Sequence, residues 1–189
     1  MNTSSIFEQA VVFCLKAHAK QVRKGTSIPY ATHPIAAMLI LSHYTKNEAV
    51  LIAALLHDVV EDTGYSLDDI REQFSDEVAD LVGQVSEIKT SPDGKRLPWT
   101  VRKKGQLESL RKTGTKEALM IKVADHIHNL KSMAEDSHQD RSLNSFNSTV
   151  AQRISYSKKI LATATAKDVD QKLLNQLRQT IKHTKDKLA

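Results

Sequence analysis

The residues best suited to chemistry lie in the run Ala53-Ala54-Leu55-Leu56-His57-Asp58-Val59-Val60-Glu61-Asp62-Thr63. Ionisable side chains interrupt an apolar helical segment there. His57 to Glu61 and Asp58 to Asp62 are each four apart, which on a helix makes two adjacent columns on one face, both pointing at one place. Carboxylates this close repel and raise one another's pKa unless a cation sits among them, and the neighbouring imidazole makes a divalent metal an economical partner. The plainer reading keeps Glu61 and Asp62 as the solvated end of a helix and His57 as a satisfied core histidine.

A second segment favours the metal. In Ala118-Leu119-Met120-Ile121-Lys122-Val123-Ala124-Asp125-His126-Ile127-His128-Asn129-Leu130, apolar residues nearly surround the helix while Lys122, Asp125 and Asn129 share one narrow stripe. A buried aspartate needs a cation or several donors, and Lys122, one turn away, is the alternative to a metal. His126 and His128 leave that stripe, so packing or supporting roles are expected for them. His33, set beside Pro34 at a helix entrance, can reach across to a neighbouring helix.

The elements that must position these residues are helical. Apolar residues recur at three and four, no stretch alternates with period two, and 6 Gly and 4 Pro punctuate 189 residues, so the fold class is all-α. The spacing predicts helices over 5–22, from Pro34 to about 43 with His33 just outside its start, and over 47–62, 66–74, 76–88, 100–111, 115–134, 144–164 and 169–188. The irregular stretch 89–99, with Ser91-Pro92-Asp93-Gly94 and Leu97-Pro98, is the natural place for a mobile loop over a site.

The length suits one domain, and 40% hydrophobic with 26% charged residues is the composition of a globular protein. No apolar run approaches the roughly 18 residues of a spanning helix. Glu8, Lys16 and His18 interrupt the N-terminal segment before a signal-like core forms, so a cytoplasmic address with no membrane partner is expected. The net charge of +5 suits an anionic partner, but aromatics are only 5%, which disfavours nucleic acid. Cys14, the single cysteine, reads as a small buried side chain.

The ordered set His33-Pro34, His57-Asp58-Val59-Val60-Glu61-Asp62-Thr63, Lys122-Val123-Ala124-Asp125 and His128-Asn129-Leu130 resembles the HD-domain phosphohydrolases. Within them it is similar to the hydrolase domain of the Rel/SpoT alarmone enzymes and to the stand-alone small alarmone hydrolases, metazoan SpoT homologues among them. The likeness runs from residue 10 to residue 156, and HDxxEDT followed by KxAD and HNL is specific to this branch. His18, Gln21, Arg23, Lys24 and Pro29-Tyr30 also fit the pattern, and no synthetase domain is expected in the rest of these 189 residues.

The resemblance implies a single-domain HD-type helical bundle over 1–165, with 166–189 as a C-terminal helix packed on it. It implies one divalent ion, usually Mn²⁺, held by His33, His57, Asp58 and Asp125, with positions left open for water and a phosphate oxygen. Glu61 and Asp62 would assist the attacking water, either of them serving as the base. Arg23 and Lys24 would contact the nucleotide, Asn129 would line its pocket, and Tyr156 would join them on a looser match. The expected reaction is metal-dependent hydrolysis of the 3′-pyrophosphate of ppGpp or pppGpp. The alternatives are an adenosine alarmone, the 2′-phosphate of NADPH, or a non-catalytic nucleotide sensor. The expected partner is a small-molecule nucleotide, with a homodimer left open. The cations Lys95, Arg96, Arg102, Lys103 and Lys104 either bind a distal pyrophosphate or form a solvated face, and Trp99 reads as a packing anchor.

Overall fold

The computed structural model describes residues 5–136 and 148–188. The start of the helix expected over 144–164 therefore lies partly outside the described residues, as do the first four residues and the last.

Local sequence signals set the helices in chain order. Ser5 caps α1 (Ile6–Ala17), its hydroxyl accepting from Glu8 N at 3.2 Å. α2 (Thr32–Ser42) follows, then α3 (Glu48–Leu56), capped by Asn47, and the single turn α4 (Val59–Asp62). Ser66 and Asp69 form a capping box at α5 (Leu67–Gln73), and Ser75 caps α6 (Asp76–Val85). α7 (Trp99–Lys112), α8 (Lys116–Asp136), α9 (Val150–Ala166) and α10 (Gln171–Leu188) complete the chain. Among the described residues there is no strand; isolated bridges Val22–Pro29 and Thr90–Arg96 pin two loops.

α8 is the centre of the molecule. Leu119, Ile121, Val123, Ala124 and Ile127 are fully buried, and α2, α3, α6, α9 and α10 all pack against this helix. A helix apolar nearly all round must lie inside. α10 turns one stripe, Leu173, Leu174, Leu177 and Ile181, into the core, and Thr184 Oγ1 donates to Leu130 O of α8 at 3.2 Å. Cys14 is buried, and burial together with the Asp58 charge pushes its thiol up to about 12, leaving it inert.

Four expected boundaries move, each for a local reason. The first helix stops at Ala17 rather than 22 because His18 turns its buried ring to Gln21 Oε1 at 2.8 Å; the chain then folds back, with Gly25 at φ 75° and Tyr30 N donating to Gln21 O at 2.9 Å. α2 begins two residues before Pro34, so His33 lies inside the helix; the missing proline N–H falls in a first turn that has no intrahelical partner to give it. The helix expected to run from 47 to 62 breaks at His57–Asp58. There Nδ1 of His57 donates to Ala54 O at 2.8 Å, the carbonyl that an unbroken helix offers to the Asp58 amide. α6 ends at Val85, where Ser86 turns extended with its hydroxyl on Val82 O at 2.8 Å, leaving Ile88 78% exposed.

Candidate functional site

Three helical segments converge beneath the loop that follows α1. α2 contributes His33, the break between α3 and α4 contributes His57 and Asp58, and α8 contributes Asp125. His33, His57 and Asp58 each offer one ligand atom, and these atoms lie within 4.8 Å of one another. His33 Nε2 stands 3.5 Å from Asp58 Oδ2 and 3.2 Å from Asp125 Oδ1, and His57 Nε2 stands 3.3 Å and 4.0 Å from the same two oxygens. Residues 33, 57–58 and 125, from three separate stretches of the sequence, therefore share one small volume.

The donor set fits a divalent cation. Nδ1 of His57 is held by Ala54 O, so its other nitrogen is turned inward, and that Nε2 is buried with no hydrogen-bond partner. His33 is oriented the same way: its Nδ1 lies 2.7 Å from Nδ1 of His128, one donating to the other, which leaves Nε2 facing the carboxylates. Burial keeps His33 below the ordinary histidine range and His128 down at about 3, so both are neutral. Burial alone would lower His57 too, but the Asp58 and Asp125 carboxylates outweigh it and push this imidazole up to about 9. Without a metal, a proton on His57 balances the acids. The partners of Asp125 are split, Oδ2 to Lys122 Nζ at 2.7 Å and Oδ1 to the histidines and to Asn129 Nδ2 at 2.5 Å. Lys122 and a cation are thus complementary, one for each carboxylate oxygen. Both Asp58 and Asp125 stay below the usual carboxylate range: the cost of burial is overcome by His57 and His33 at Asp58, and by Lys122 and His33 at Asp125.

Glu61 and Asp62 lie beside this cluster, each held by the segment that follows α6. Glu61 Oε1 accepts from Glu87 N at 2.9 Å, and Asp62 Oδ1 accepts from Lys89 Nζ at 2.5 Å. Burial and then the Asp58 charge push Glu61 up to about 7. Tyr30 links the two groups, with its hydroxyl 2.7 Å from Asp58 Oδ2 and 3.3 Å from Asp62 Oδ2, and Gln21 Nε2 donates to Asp62 O at 2.6 Å.

The remaining expected residues line two cavities that share Asn129, Met133 and Arg153. One, about 60 Å³, is lined by Asp125, Asn129, Arg153, Tyr156, Trp99 and Lys103; the other, about 230 Å³, by Arg23, Lys24, Tyr30, Asn129 and Arg153. Asn129 bridges them, donating to Asp125 and accepting from Arg23 Nη2 at 2.9 Å. The Tyr156 hydroxyl is tied to Gln106 Oε1 at 2.8 Å, and Tyr156 lines the smaller cavity with the Trp99 ring 6.1 Å away and Lys103 Nζ 5.1 Å from its ring centroid. His126 is held by Ser157 Oγ at 2.8 Å and stays outside the cluster. Several of the loop cations are already committed: Arg102 pairs with Glu87 at 2.5 Å, Lys103 with the same carboxylate, and Lys95 with Asp93 at 2.9 Å.

In the sequence Tyr30 stands out only as part of a pattern, and Glu87 and Lys89 carry no signal of their own. Each acts across the fold, 26 to 32 residues from the acid it touches, a distance that no helical periodicity spans.

A family described as HD domain matches residues 10–150. A guanosine-3′,5′-bis(diphosphate) 3′-pyrophosphohydrolase, MESH1 of Xenopus tropicalis, is 35% identical over 133 residues, covering 69% of this chain and 70% of that protein. A probable GTP pyrophosphokinase of Mycobacterium leprae is 39% identical over 134 residues, 68% of this chain but 16% of that protein, so the chain spans about a sixth of this longer relative. A solved structure, described as a metazoan ortholog of SpoT that hydrolyzes ppGpp and plays a role in starvation responses, superposes with a TM-score of 0.78 at 29% identity, covering 96% of this chain and 97% of that one.

Proposed function

The chain belongs to the HD domain family, and from that premise we propose that it removes the 3′-pyrophosphate of ppGpp and pppGpp, releasing GDP or GTP and pyrophosphate. The observation that carries this reading is the buried quartet of His33, His57, Asp58 and Asp125, with His57 Nε2 lacking a hydrogen-bond partner. Likeness over most of their length to MESH1 and to the metazoan SpoT ortholog supports the choice of substrate.

The quartet would hold one divalent ion, Mn²⁺ in this reading. Such an ion supplies Lewis acidity that makes water a better nucleophile and polarises a phosphoryl oxygen. The chain's own residues do the rest. Glu61 takes the proton from the attacking water, a role suited to a carboxylate whose pKa is near 7. Asp62, fixed by Lys89 and Tyr30, orients that water. Water attacks the phosphorus bonded to the 3′ oxygen, the P–O3′ bond breaks, the 3′ oxygen takes up a proton from solvent, and Glu61 returns its own to solvent. Arg23 and Lys24 offset the nucleotide's charge from the larger cavity, Asn129 spans the two cavities, and the Tyr156 ring closes the smaller one.

The test strips the protein with chelator, restores Mn²⁺, and follows pyrophosphate release from ppGpp. Release only after reconstitution is expected. No release from Mn²⁺-loaded protein, beside an active control enzyme, overturns the proposal. A panel with an adenosine alarmone and NADPH, ranked by kcat/KM, then fixes the nucleotide.

A further inference from the structure

We infer that Lys89, on the segment between α6 and α7, is a positioning residue that holds Glu61 and Asp62 in register for hydrolysis, an inference that rests on the hydrolytic reading above. Its ammonium stands 2.5 Å from Asp62 Oδ1 and 3.4 Å from Glu61 Oε2, and donates to Glu61 O at 3.0 Å. Three contacts from one Nζ tie down both carboxylates and the backbone between them. Among the described residues, its hydrogen bonds and ion pairs go to Glu61 and Asp62 alone, and none goes to His33, His57, Asp58 or Asp125.

The arrangement differs from an ordinary surface ion pair, which contributes little. The side chains of Lys89, Glu61 and Asp62 are 22%, 8% and 33% exposed, so the charges interact where water screens them poorly. Without a cation between them, two adjacent carboxylates beside Asp58 would repel and splay apart. Lys89 is itself held: Leu97 N donates to Lys89 O at 2.9 Å, and the Thr90–Arg96 bridge closes the turn that follows. Two residues earlier, Glu87 donates its amide to Glu61 while its carboxylate is clamped by Arg102 and Lys103 of α7. Glu61 is therefore gripped from both ends of one anchored segment.

The test compares wild type, Lys89→Met and Lys89→Arg, all Mn²⁺-loaded, on ppGpp. Lys89→Met is expected to lower kcat about 100-fold with KM changed by less than about threefold, while Mn²⁺ affinity stays at the wild-type value and Tm falls by no more than about 5 °C. Lys89→Arg, which keeps a donor fork able to span two carboxylates, is expected to recover kcat to within about tenfold. In a Glu61→Gln background, Lys89→Met should cost much less than it does alone, because the residue acts through Glu61. An unchanged kcat in Lys89→Met overturns the inference, as does a loss of Tm and metal binding that parallels the loss of activity. If the wild type releases no pyrophosphate, the substrate reading fails but Lys89 is still tested: amide exchange at Glu87 should quicken in Lys89→Met, and unaltered exchange overturns its role.

Discussion

At the scale of single residues, His57 is where the site's charge is balanced. Its folded-state pKa of about 9 lies above the ordinary 6.5. A raised imidazole contributes stability that is fully present below pH 6.5 and is lost as pH rises through about 9. Denaturant midpoints of the metal-free protein should therefore fall across that window, and His57→Gln should flatten the fall. A metal must displace the same proton, so calorimetry in buffers of different ionisation enthalpy should register proton release on Mn²⁺ binding near pH 7. The acids separate by role. Asp58→Ala should lose both metal and turnover, whereas Glu61→Gln should keep the metal and lose about 100-fold or more in kcat. Metal content by elemental analysis beside kcat distinguishes the two.

At the scale of elements, the helices exist to bring residues 33, 57, 58 and 125 together, and their ends carry most of that work. Asn47, whose side chain accepts from Val50 N at 3.3 Å, sets the start of the helix that ends at His57; Asn47→Ala should lower stability by about 1 kcal/mol in urea unfolding. Gly114, just past the end of α7, has no room for a methyl group: a Cβ there would meet Leu110 O at 2.5 Å, and Gly114→Ala should destabilise by about 1–3 kcal/mol in the same assay. The helical register was legible in the sequence because α8 buries nearly every face and its polar residues had to share one stripe, which is how Asp125 stood out. The break after Leu56 was not legible, because it comes from a side chain competing for a backbone carbonyl within an otherwise unbroken apolar pattern. The grip of Lys89 and Glu87 on the acid pair was hidden for another reason: it forms only when the segment after α6 folds back over α4.

At the scale of the whole molecule, the positive balance of +5 lies outside the buried ion pairs. Lys89, Arg102, Lys103 and Lys122 pair with Glu61, Asp62, Glu87 and Asp125, four cations against four acids, so the excess stays on other residues, and two of those cations, Arg23 and Lys24, line a cavity. No helix among the described residues is long and apolar enough to cross a membrane. Because the metal would bind only the folded chain, Mn²⁺ at about 100 times its Kd should add about 2.7 kcal/mol, raising Tm by about 5–10 °C over the chelated protein. Four side chains from three separate stretches of the chain are expected to surround one dication. Anomalous diffraction at the manganese edge, from crystals grown with Mn²⁺, tests it most directly. One peak is expected at about 2.0–2.3 Å from His33 Nε2, His57 Nε2, one oxygen of Asp58 and one of Asp125. A site without a peak, or a peak that excludes Asp125 or either histidine, would contradict it.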